Sequence, residues 1–313
     1  MSGRQQTRTE QAHPAEVRQV YERVLAGTSV RSRSVETPAA GRVHLLETGT
    51  GNPAVVLHGT GNSAGFLLPL LDQLHGVQAT APDLPGVGLS DPVDLPRARY
   101  REAAVAWLDG LLDTLELPSA ALVGHSGGGV WALWYALAHP DRVRRLVLLG
   151  PPALPGTSCP LPLRLATTPG MGALVSRLAP PSPKAVLRLA SVMGERATLT
   201  ARPDLVDLLV AEARDPVADR AAKAELRALI SPLALLSPSG WRRRVRLQPG
   251  ELGRLAVPTL VIWGERDPLG GVPVARALTR LIPDARLEVL PTGHGPWLGR
   301  PVETATAITG FLR

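Results

Sequence analysis

One stretch decides the fold of this chain: Ala120-Ala-Leu-Val-Gly-His-Ser-Gly-Gly-Gly129. The apolar run from Ala120 to Val123 predicts a buried strand, and the run from Val130 to His139 is typical of a helix. A serine between them, in the pattern Gly-x-Ser-x-Gly, predicts a sharp strand-to-helix turn that projects one hydroxyl group. The positions two before and two after Ser126 must lack bulk in such a turn, and both are glycine.

Further apolar runs with strand character lie on both sides of this turn. They are Pro53 to Leu57, Val77 to Ala81, Val143 to Leu149, Thr259 to Trp263 and Arg286 to Leu290. Helix-like segments alternate with them, at Ala15 to Ala26, Phe66 to Leu74, Tyr100 to Leu115, Pro273 to Leu281 and Val302 to Leu312. Because the strands are continuously apolar, they predict a parallel sheet with helices on both faces. Ligands bind such sheets at the carboxyl ends of the strands. A hairpin is also predicted between Val30 and Glu47.

The alternation stops at Gly150-Pro151-Pro152, and only helix signals are readable up to about residue 250. The predicted helices there run from Pro183 to Met193, from Asp204 to Arg214 and from Val217 to Ile230. Helices inserted between two strands of one sheet predict a cap over the carboxyl ends, with a separate helical domain as the alternative. The predicted organisation is a disordered lead (1–13), a core (14–150 and 251–313) and a cap (151–250).

The composition is that of an ordinary globular protein of 313 residues, 44% hydrophobic and 19% charged. The net charge of +7 is spread out and not interleaved with aromatic residues, so no nucleic-acid partner is expected. Cys159 is the only cysteine, which excludes an intramolecular disulfide and a cysteine-rich metal site. The segment from Met1 to Ala12 lacks a signal-peptide core, and no run approaches the roughly 18 apolar residues that span a bilayer. A cytoplasmic protein without a membrane span is expected.

Two short motifs supply what a serine hydroxyl needs in order to act as a nucleophile. The hydroxyl is weak until a base takes its proton, and the base needs an acid that orients it. The motifs are Gly264-Glu-Arg-Asp-Pro268 and Pro291-Thr-Gly-His-Gly295, each directly after a predicted strand. Asp267 and His294 are therefore expected at the same sheet edge as Ser126, in the chain order known for this architecture.

An oxyanion hole is the third requirement, because negative charge builds on the carbonyl oxygen as the hydroxyl attacks. The Gly127 N–H, at the start of the helix, is one predicted donor. The Thr60 N–H, in the turn after His58-Gly59, is the second.

Together these motifs resemble the alpha/beta-hydrolase fold superfamily, in particular its serine hydrolases. The matching segments are His58-Gly59-Thr60, Asp83 to Ser90, Gly124 to Gly128, Gly264 to Asp267 and Gly293-His294. The resemblance implies a mostly parallel eight-stranded sheet, an inserted helical cap that shapes the pocket, and no cofactor. It also implies Ser126 as nucleophile, Asp267 as orienting acid, His294 as base, and Thr60 and Gly127 as oxyanion donors. The arginine-rich segment from Trp241 to Arg246 has no counterpart in the family; a solvated face is favoured there over an anion site.

Each of these residues has a competitor. Asp267 is favoured as the acid over Glu265, although Glu265 lies nearer its strand. Some members of the family carry the acid at the position of Gly150-Pro151-Pro152, where this chain has no carboxylate. His294 competes with His58, expected to brace the oxyanion turn, with His125, expected to pack within the elbow, and with His75 and His139, expected to be exposed. Ser126 could be an ordinary helix N-cap, Ser63 and Ser90 are interpreted as structural, and Cys159 as a buried or incidental thiol. Trp131 and Trp134 are interpreted as packing residues, and Trp297 as packing or as a pocket floor.

A serine at the elbow indicates acyl transfer through an acyl-enzyme, whereas haloalkane dehalogenases and epoxide hydrolases carry aspartate there. The cap is rich in Leu, Ala and Val, so the predicted function is hydrolysis of a carboxylic ester of an apolar or small-molecule substrate. The alternatives are a thioesterase, a lactonase or a carbon–carbon-bond hydrolase, then a cofactor-free perhydrolase or a non-catalytic ligand-binding protein. The apolar faces of the cap helices leave room for a homo-oligomer.

Overall fold

The fold is built on an eight-stranded sheet. The structure is a computed structural model that describes residues 14–38, 40–167, 180–230 and 245–313. The strands are β1 (Arg31–Thr37), β2 (Gly41–Thr48), β3 (Asn52–Leu57), β4 (Val77–Pro82), β5 (Ala120–His125), β6 (Val143–Leu149), β7 (Thr259–Gly264) and β8 (Ala285–Leu290). Their order is β1-β2-β4-β3-β5-β6-β7-β8; β2 pairs antiparallel with β1 and β4, and the pairs from β4 to β8 are parallel. The mostly parallel, eight-stranded sheet is confirmed.

Helices follow most strands, as the alternating pattern predicts. In the core they are α1 (Ala15–Leu25), α2 (Leu68–Leu71), α3 (Tyr100–Thr114), α4 (Ser126–Ala138), α10 (Pro249–Leu252), α11 (Val272–Leu281), α12 (Pro296–Gly299) and α13 (Pro301–Leu312). Short 3₁₀ turns lie at Ala64–Leu67, Arg97–Arg99 and Pro140–Arg142. The helix predicted from Phe66 to Leu74 was wrong in extent, because the chain forms a 3₁₀ turn and then starts α2 with Pro69 in its first turn. Proline is tolerated there because it lacks an N–H that an α-helix would leave unbonded anyway.

The core lies on both faces of the sheet because side chains alternate along each strand. On β3, Val55 and Leu57 join an apolar cluster with α3, α4 and α11. Ala54 and Val56 point the other way and join a second cluster with α1, α2 and α13. The sheet is therefore buried on both sides, which explains its continuously apolar strands.

The described chain between β6 and β7 is helical and holds no strand before β7. Ahead of α10, its helices are α5 (Leu161–Ala166), α6 (Pro183–Val192), α7 (Arg196–Thr200), α8 (Pro203–Arg214) and α9 (Pro216–Ile230). Ser182 caps α6 by accepting a hydrogen bond from the Ala185 N–H at 3.3 Å. We call the inserted segment, residues 151–250, the cap. The predicted lead 1–13 and the arginines at 242–244 lie outside the described residues. Arg246, from the same arginine-rich segment, donates a hydrogen bond to the Leu154 carbonyl at 2.9 Å. None of the described helices is long and apolar enough to cross a membrane.

A buried carboxylate, Asp83, ties together the loops that follow β3 and β4. Its oxygens accept hydrogen bonds from the Tyr21 hydroxyl at 2.9 Å, His44 Nδ1 at 2.8 Å, the Ala64 N–H at 2.7 Å and the Leu89 N–H at 2.9 Å. Burial pushes the pKa of Asp83 up, but its interactions with His44, with nearby His58 and with the Leu89 N–H outweigh burial and hold the pKa below its ordinary value. Asp83 thereby connects α1, β2 and two loops of the sheet edge.

We expect Asp83→Asn to lower the free energy of unfolding by about 3 kcal/mol, because an uncharged amide would face four donors in a dry site. Asp94→Asn is the matched control: Asp94 is exposed, and its loss should change stability by less than about 0.5 kcal/mol. Denaturant unfolding of the two variants measures both values. Equal stability of Asp83→Asn and the wild type would contradict the role given to Asp83.

Candidate active site

Ser126 lies where β5 passes into α4, and its backbone is left-handed with φ of +50°. The turn is tight: a Cβ built on Gly124 would lie 2.6 Å from both the Gly128 carbonyl oxygen and the Gly129 Cα. No real side chain fits so close to backbone, so glycine is required on the strand side of the serine. A non-glycine residue in this conformation is strained by about 1–3 kcal/mol, a common feature of functional sites.

The loop after β3 closes on this turn through Gly59. A Cβ there would lie 2.7 Å from His125 Nδ1 and 3.1 Å from the Ser126 Cβ. His58 holds the loop: its Nε2 accepts the Leu84 N–H at 2.8 Å, so its proton is on Nδ1, which donates to the Gly59 carbonyl at 2.9 Å. Burial lowers the pKa of His58, which keeps the ring neutral. These contacts agree with the bracing role expected for His58.

Asp267 and His294 form a hydrogen-bonded pair at the carboxyl ends of β7 and β8. His294 Nδ1 lies 2.9 Å from Asp267 Oδ2, and both residues are buried. Asp267 Oδ1 accepts the Leu269 N–H at 2.9 Å, which fixes the carboxylate. Glu265 is exposed, so the structure brings Asp267 and not Glu265 to the histidine.

Gly150, at the alternative acid position, makes room for this pair. Its φ is +54°, and a Cβ there would lie 2.7 Å from Asp267 Oδ2 and 3.1 Å from His294 Nδ1. Any side chain at that position would therefore compete with the pair for the same space.

Of the other candidate histidines, His125 lies next to the base, whereas His75 and His139 do not line the cavity that holds Ser126. His125 packs against Trp297 and His294, with ring centroids 4.3 and 4.7 Å away, and burial, followed by the proximity of His294, lowers the pKa of His125 well below the usual value. His125 Nε2 lies 3.2 Å from the His294 carbonyl oxygen. His75 is exposed, as expected, and His139 is half-buried against Tyr135.

The residues that carry the two predicted oxyanion N–H groups, Thr60 and Gly127, lie side by side. The nearest atom to a Cβ built on Gly127 would be the Thr60 hydroxyl oxygen, so the turn after Gly59 and the start of α4 meet. The N-terminus of α4 adds a partial positive charge at this point. The arrangement suits an oxygen that becomes negative during a reaction.

Ser126, Thr60 and His294 line one cavity of about 280 Å³ between the sheet edge and the cap. Most of its wall is apolar and comes from the cap, including Leu189, Met193, Leu226, Leu229 and Ile230. Cys159 also lines it, and burial raises the pKa of this thiol to about 11, so the thiol stays protonated. Trp297 is fully buried, and its indole N–H donates to the Phe66 carbonyl at 3.4 Å; it packs beneath the site.

Two carboxyl groups of the cap that were not predicted from the sequence, those of Glu195 and Glu225, lie at this site. Glu195 Oε1 accepts the Gly295 N–H at 3.0 Å, and Met193 O accepts the His294 N–H at 3.0 Å, so the cap is bonded directly to the histidine loop. Burial raises the pKa of Glu195. Glu225, on α9, lies beside Thr60 and Gly127. Neither residue has a local motif: Glu195 lies in the turn between α6 and α7, and Glu225 is an acidic residue within the amphipathic helix α9. In the described ranges no cluster of histidine, cysteine, aspartate or glutamate suits a metal ion.

A parallel-rich sheet with a strained serine at the strand-to-helix turn, a histidine–aspartate pair and a helical insertion defines a hydrolase of the alpha/beta type. The family model for the alpha/beta hydrolase fold matches residues 52–300, and the chain belongs to this family. It is similar to a 2-hydroxy-6-oxo-6-phenylhexa-2,4-dienoate hydrolase of Burkholderia cepacia, 30% identical over 261 residues that cover 81% of this chain and 85% of the relative. It is also similar to a 2-hydroxymuconate semialdehyde hydrolase of Pseudomonas sp. (strain CF600), 31% identical over 295 residues, 88% of this chain and 93% of the relative.

Among solved structures, the naproxen esterase (carboxylesterase NP) of Bacillus subtilis is similar in fold. Its TM-score is 0.71 with 21% sequence identity, and the match covers 95% of this chain and 97% of that chain. At this identity the likeness concerns the fold alone.

We expect Gly150→Ala to reduce the rate at which a fluorophosphonate labels the protein by roughly 10- to 100-fold, because the new methyl group displaces the Asp267–His294 pair. Gly156→Ala is the matched control. Gly156 also has positive φ, of +81°, but a Cβ there would meet Val274 at an ordinary 3.5 Å. Both variants bear the backbone strain, so equal labelling losses would show that strain, and not the displaced pair, is responsible.

Proposed function

We propose that this chain is a serine hydrolase that cleaves carboxylic esters of neutral, apolar small molecules. Ser126 is the nucleophile, His294 the general base, Asp267 the acid that orients the base, and the Gly127 and Thr60 N–H groups the oxyanion donors. The hydrogen bond between His294 Nδ1 and Asp267, and the position of Ser126 and His294 on one cavity, support these roles.

The reaction would proceed in two halves. His294 Nε2 takes the proton of the Ser126 hydroxyl as the oxygen attacks the ester carbonyl carbon, while Asp267 on Nδ1 stabilises the ring that becomes charged. The carbonyl oxygen becomes an oxyanion held by two N–H groups. The carbon–oxygen bond then breaks, the alcohol leaves with the proton from His294, and water repeats the same steps to release the acid.

The substrate class is proposed from the charged and apolar side chains that line the cavity. Its described lining contains no lysine or arginine, and its described carboxyl group, on Glu195, offers an anion no positive charge to pair with. Leucine, valine, isoleucine and methionine make up most of the cap side. A volume of about 280 Å³ is near the small end for ligand pockets, which favours a short or medium acyl group.

Hydrolysis of a carbon–carbon bond is the second candidate, supported by the sequence relatives at 30–31% identity, which are named as a 2-hydroxy-6-oxo-6-phenylhexa-2,4-dienoate hydrolase and a 2-hydroxymuconate semialdehyde hydrolase. The dienoate in one of those names is a carboxylate, which a pocket normally pairs with a cation. The apolar side chains of the described lining support the ester as the first candidate. Thioesters and lactones require the same serine chemistry and belong in any substrate screen.

We expect Ser126→Ala to lower the hydrolysis of 4-nitrophenyl butyrate by roughly 10⁴-fold and to abolish fluorophosphonate labelling, because the substitution removes the hydroxyl that would carry the acyl group. Ser191→Ala, an exposed serine of the same cap, is the control and should retain wild-type activity. Hydrolysis that survives Ser126→Ala would refute the assigned nucleophile.

The same assay applied to a panel separates the two candidate reactions. It contains 4-nitrophenyl esters of graded acyl length, a thioester, a lactone and a 2-hydroxy-6-oxo-dienoate. We expect kcat/KM for the best ester to exceed that for the dienoate by about 100-fold or more. The opposite order would make the carbon–carbon-bond hydrolase the correct assignment.

A further inference from the structure

A second cavity lies on the far side of the oxyanion turn, and Glu225 stands between it and the reacting serine. This cavity has a volume of about 290 Å³ and is formed by α9, the loop after β4, Tyr100 and Trp131. Glu225 lines it, while its neighbour on the helix, Leu226, lines the catalytic cavity. The carboxyl group of Glu225 is thus held at the wall between the two spaces.

This carboxyl group touches the oxyanion turn. A Cβ built on Gly127 would lie 2.7 Å from Glu225 Oε1 and 3.2 Å from Cδ, with the Thr60 hydroxyl on the same side. The two residues that supply the oxyanion N–H groups are therefore the ones that Glu225 contacts. The side chain is 8% exposed, and Oε1 makes no hydrogen bond of good geometry with any described residue.

A buried carboxyl group with one oxygen left without a hydrogen bond favours its neutral form. Burial raises the pKa of Glu225 to about 7, and weaker interactions with the Thr60 hydroxyl and the Trp131 indole lower it only in part. The ionisable groups around the second cavity are His58, Asp94, Tyr100 and Arg220. Burial keeps the His58 ring neutral and raises the pKa of the Tyr100 phenol; Asp94 and Arg220 are exposed, and the Arg220 guanidinium donates to the Pro216 carbonyl.

We propose that Glu225 is a positioning residue of the oxyanion hole, active as a neutral acid that holds Thr60 against Gly127 and inhibitory when it ionises. This proposal deepens the proposed function and rests on it, since it requires an oxyanion next to Gly127. A neutral carboxyl group can donate to the Thr60 hydroxyl, which keeps the turn in place. An ionised one would put a negative charge within several ångströms of the forming oxyanion, where repulsion in a dry site is strong.

If Glu225 acts in this way, enzyme activity falls as the pH becomes alkaline, and the substitution Glu225→Gln abolishes this fall. In the wild type we expect kcat/KM for 4-nitrophenyl butyrate to fall about 10-fold or more between pH 7 and pH 9, because kcat/KM reports ionisations of the free enzyme. Glutamine has the size of glutamic acid and an N–H that can donate to the Thr60 hydroxyl, but it cannot ionise. The kcat/KM of Glu225→Gln should therefore match that of the wild type at pH 6 within about 3-fold and stay constant up to pH 9.

Glu212→Gln is the matched control for removing a buried cap carboxyl group. Glu212 lies on α8, burial raises its pKa as well, and it faces Ser63 and Asp83 and not the catalytic cavity. This variant should keep the wild-type decline above pH 7. If Glu225→Gln also keeps that decline while remaining active at pH 6, the proposal for Glu225 is overturned and the assignment of Ser126 is untouched. If the wild type neither hydrolyses the ester nor reacts with the fluorophosphonate at any pH, the proposed function itself fails and this proposal falls with it.

Thermal stability gives a readout that does not depend on activity. The pKa of the Glu225 carboxyl group is higher in the folded state, at about 7, than its ordinary value near 4.5. The carboxyl group therefore stabilises the folded state fully below about pH 4.5, and this stabilisation is lost as the pH rises through about 7. We expect the Tm of the wild type to fall relative to Glu225→Gln between pH 5 and pH 8. A constant difference in Tm across this range would show that Glu225 does not titrate there, which would also overturn the proposal.

Discussion

The left-handed backbone at Ser126 is the constraint on which the rest of the structure depends. A serine holds a φ of +50° only where its surroundings impose that conformation, and here they are glycine backbone on both sides. Because Gly124 and Gly128 have no side chains, α4 can leave β5 at once and lie against the end of the sheet. The hydroxyl is then presented at the carboxyl ends of the strands, where the loops after β3, β6, β7 and β8 must all fit around it.

Burial shifts the pKa values of several ionisable groups around the serine. His58 and His125 have lowered pKa values and act as neutral packing and bracing groups. Glu195 and Glu225 have raised pKa values because the cap removes them from water. Asp267 instead has the Leu269 N–H and His294 as partners. An enzyme can assign acid and base roles at one pH through such differences in environment.

The sequence predicted the sheet and the elbow well because their determinants are local. Continuous apolar runs identify buried strands, and the residues in tight turns after them are short motifs: Gly124 to Gly128, Gly264 to Asp267 and Gly293-His294. The choice of Asp267 over Glu265 was also readable, although the reason became visible only in three dimensions, where Glu265 is exposed. The helix predicted from Phe66 to Leu74 was wrong in extent, because a separate short helix, α2, begins at Leu68 with Pro69 in its first turn.

Glu195 and Glu225 could not be predicted, because their role depends on how the cap docks and not on their neighbours in sequence. Only the position of α9 brings the Glu225 carboxyl group against Gly127, nearly a hundred residues away along the chain. The elbow and the cap thus meet beside Gly127, where Ser126 is proposed to carry the acyl group. Rapid quenching during hydrolysis of 4-nitrophenyl butyrate, followed by peptide mass spectrometry, tests this directly. We predict a butyryl group on the peptide that contains Ser126; turnover with that peptide unmodified and the butyryl group on another residue would contradict the account.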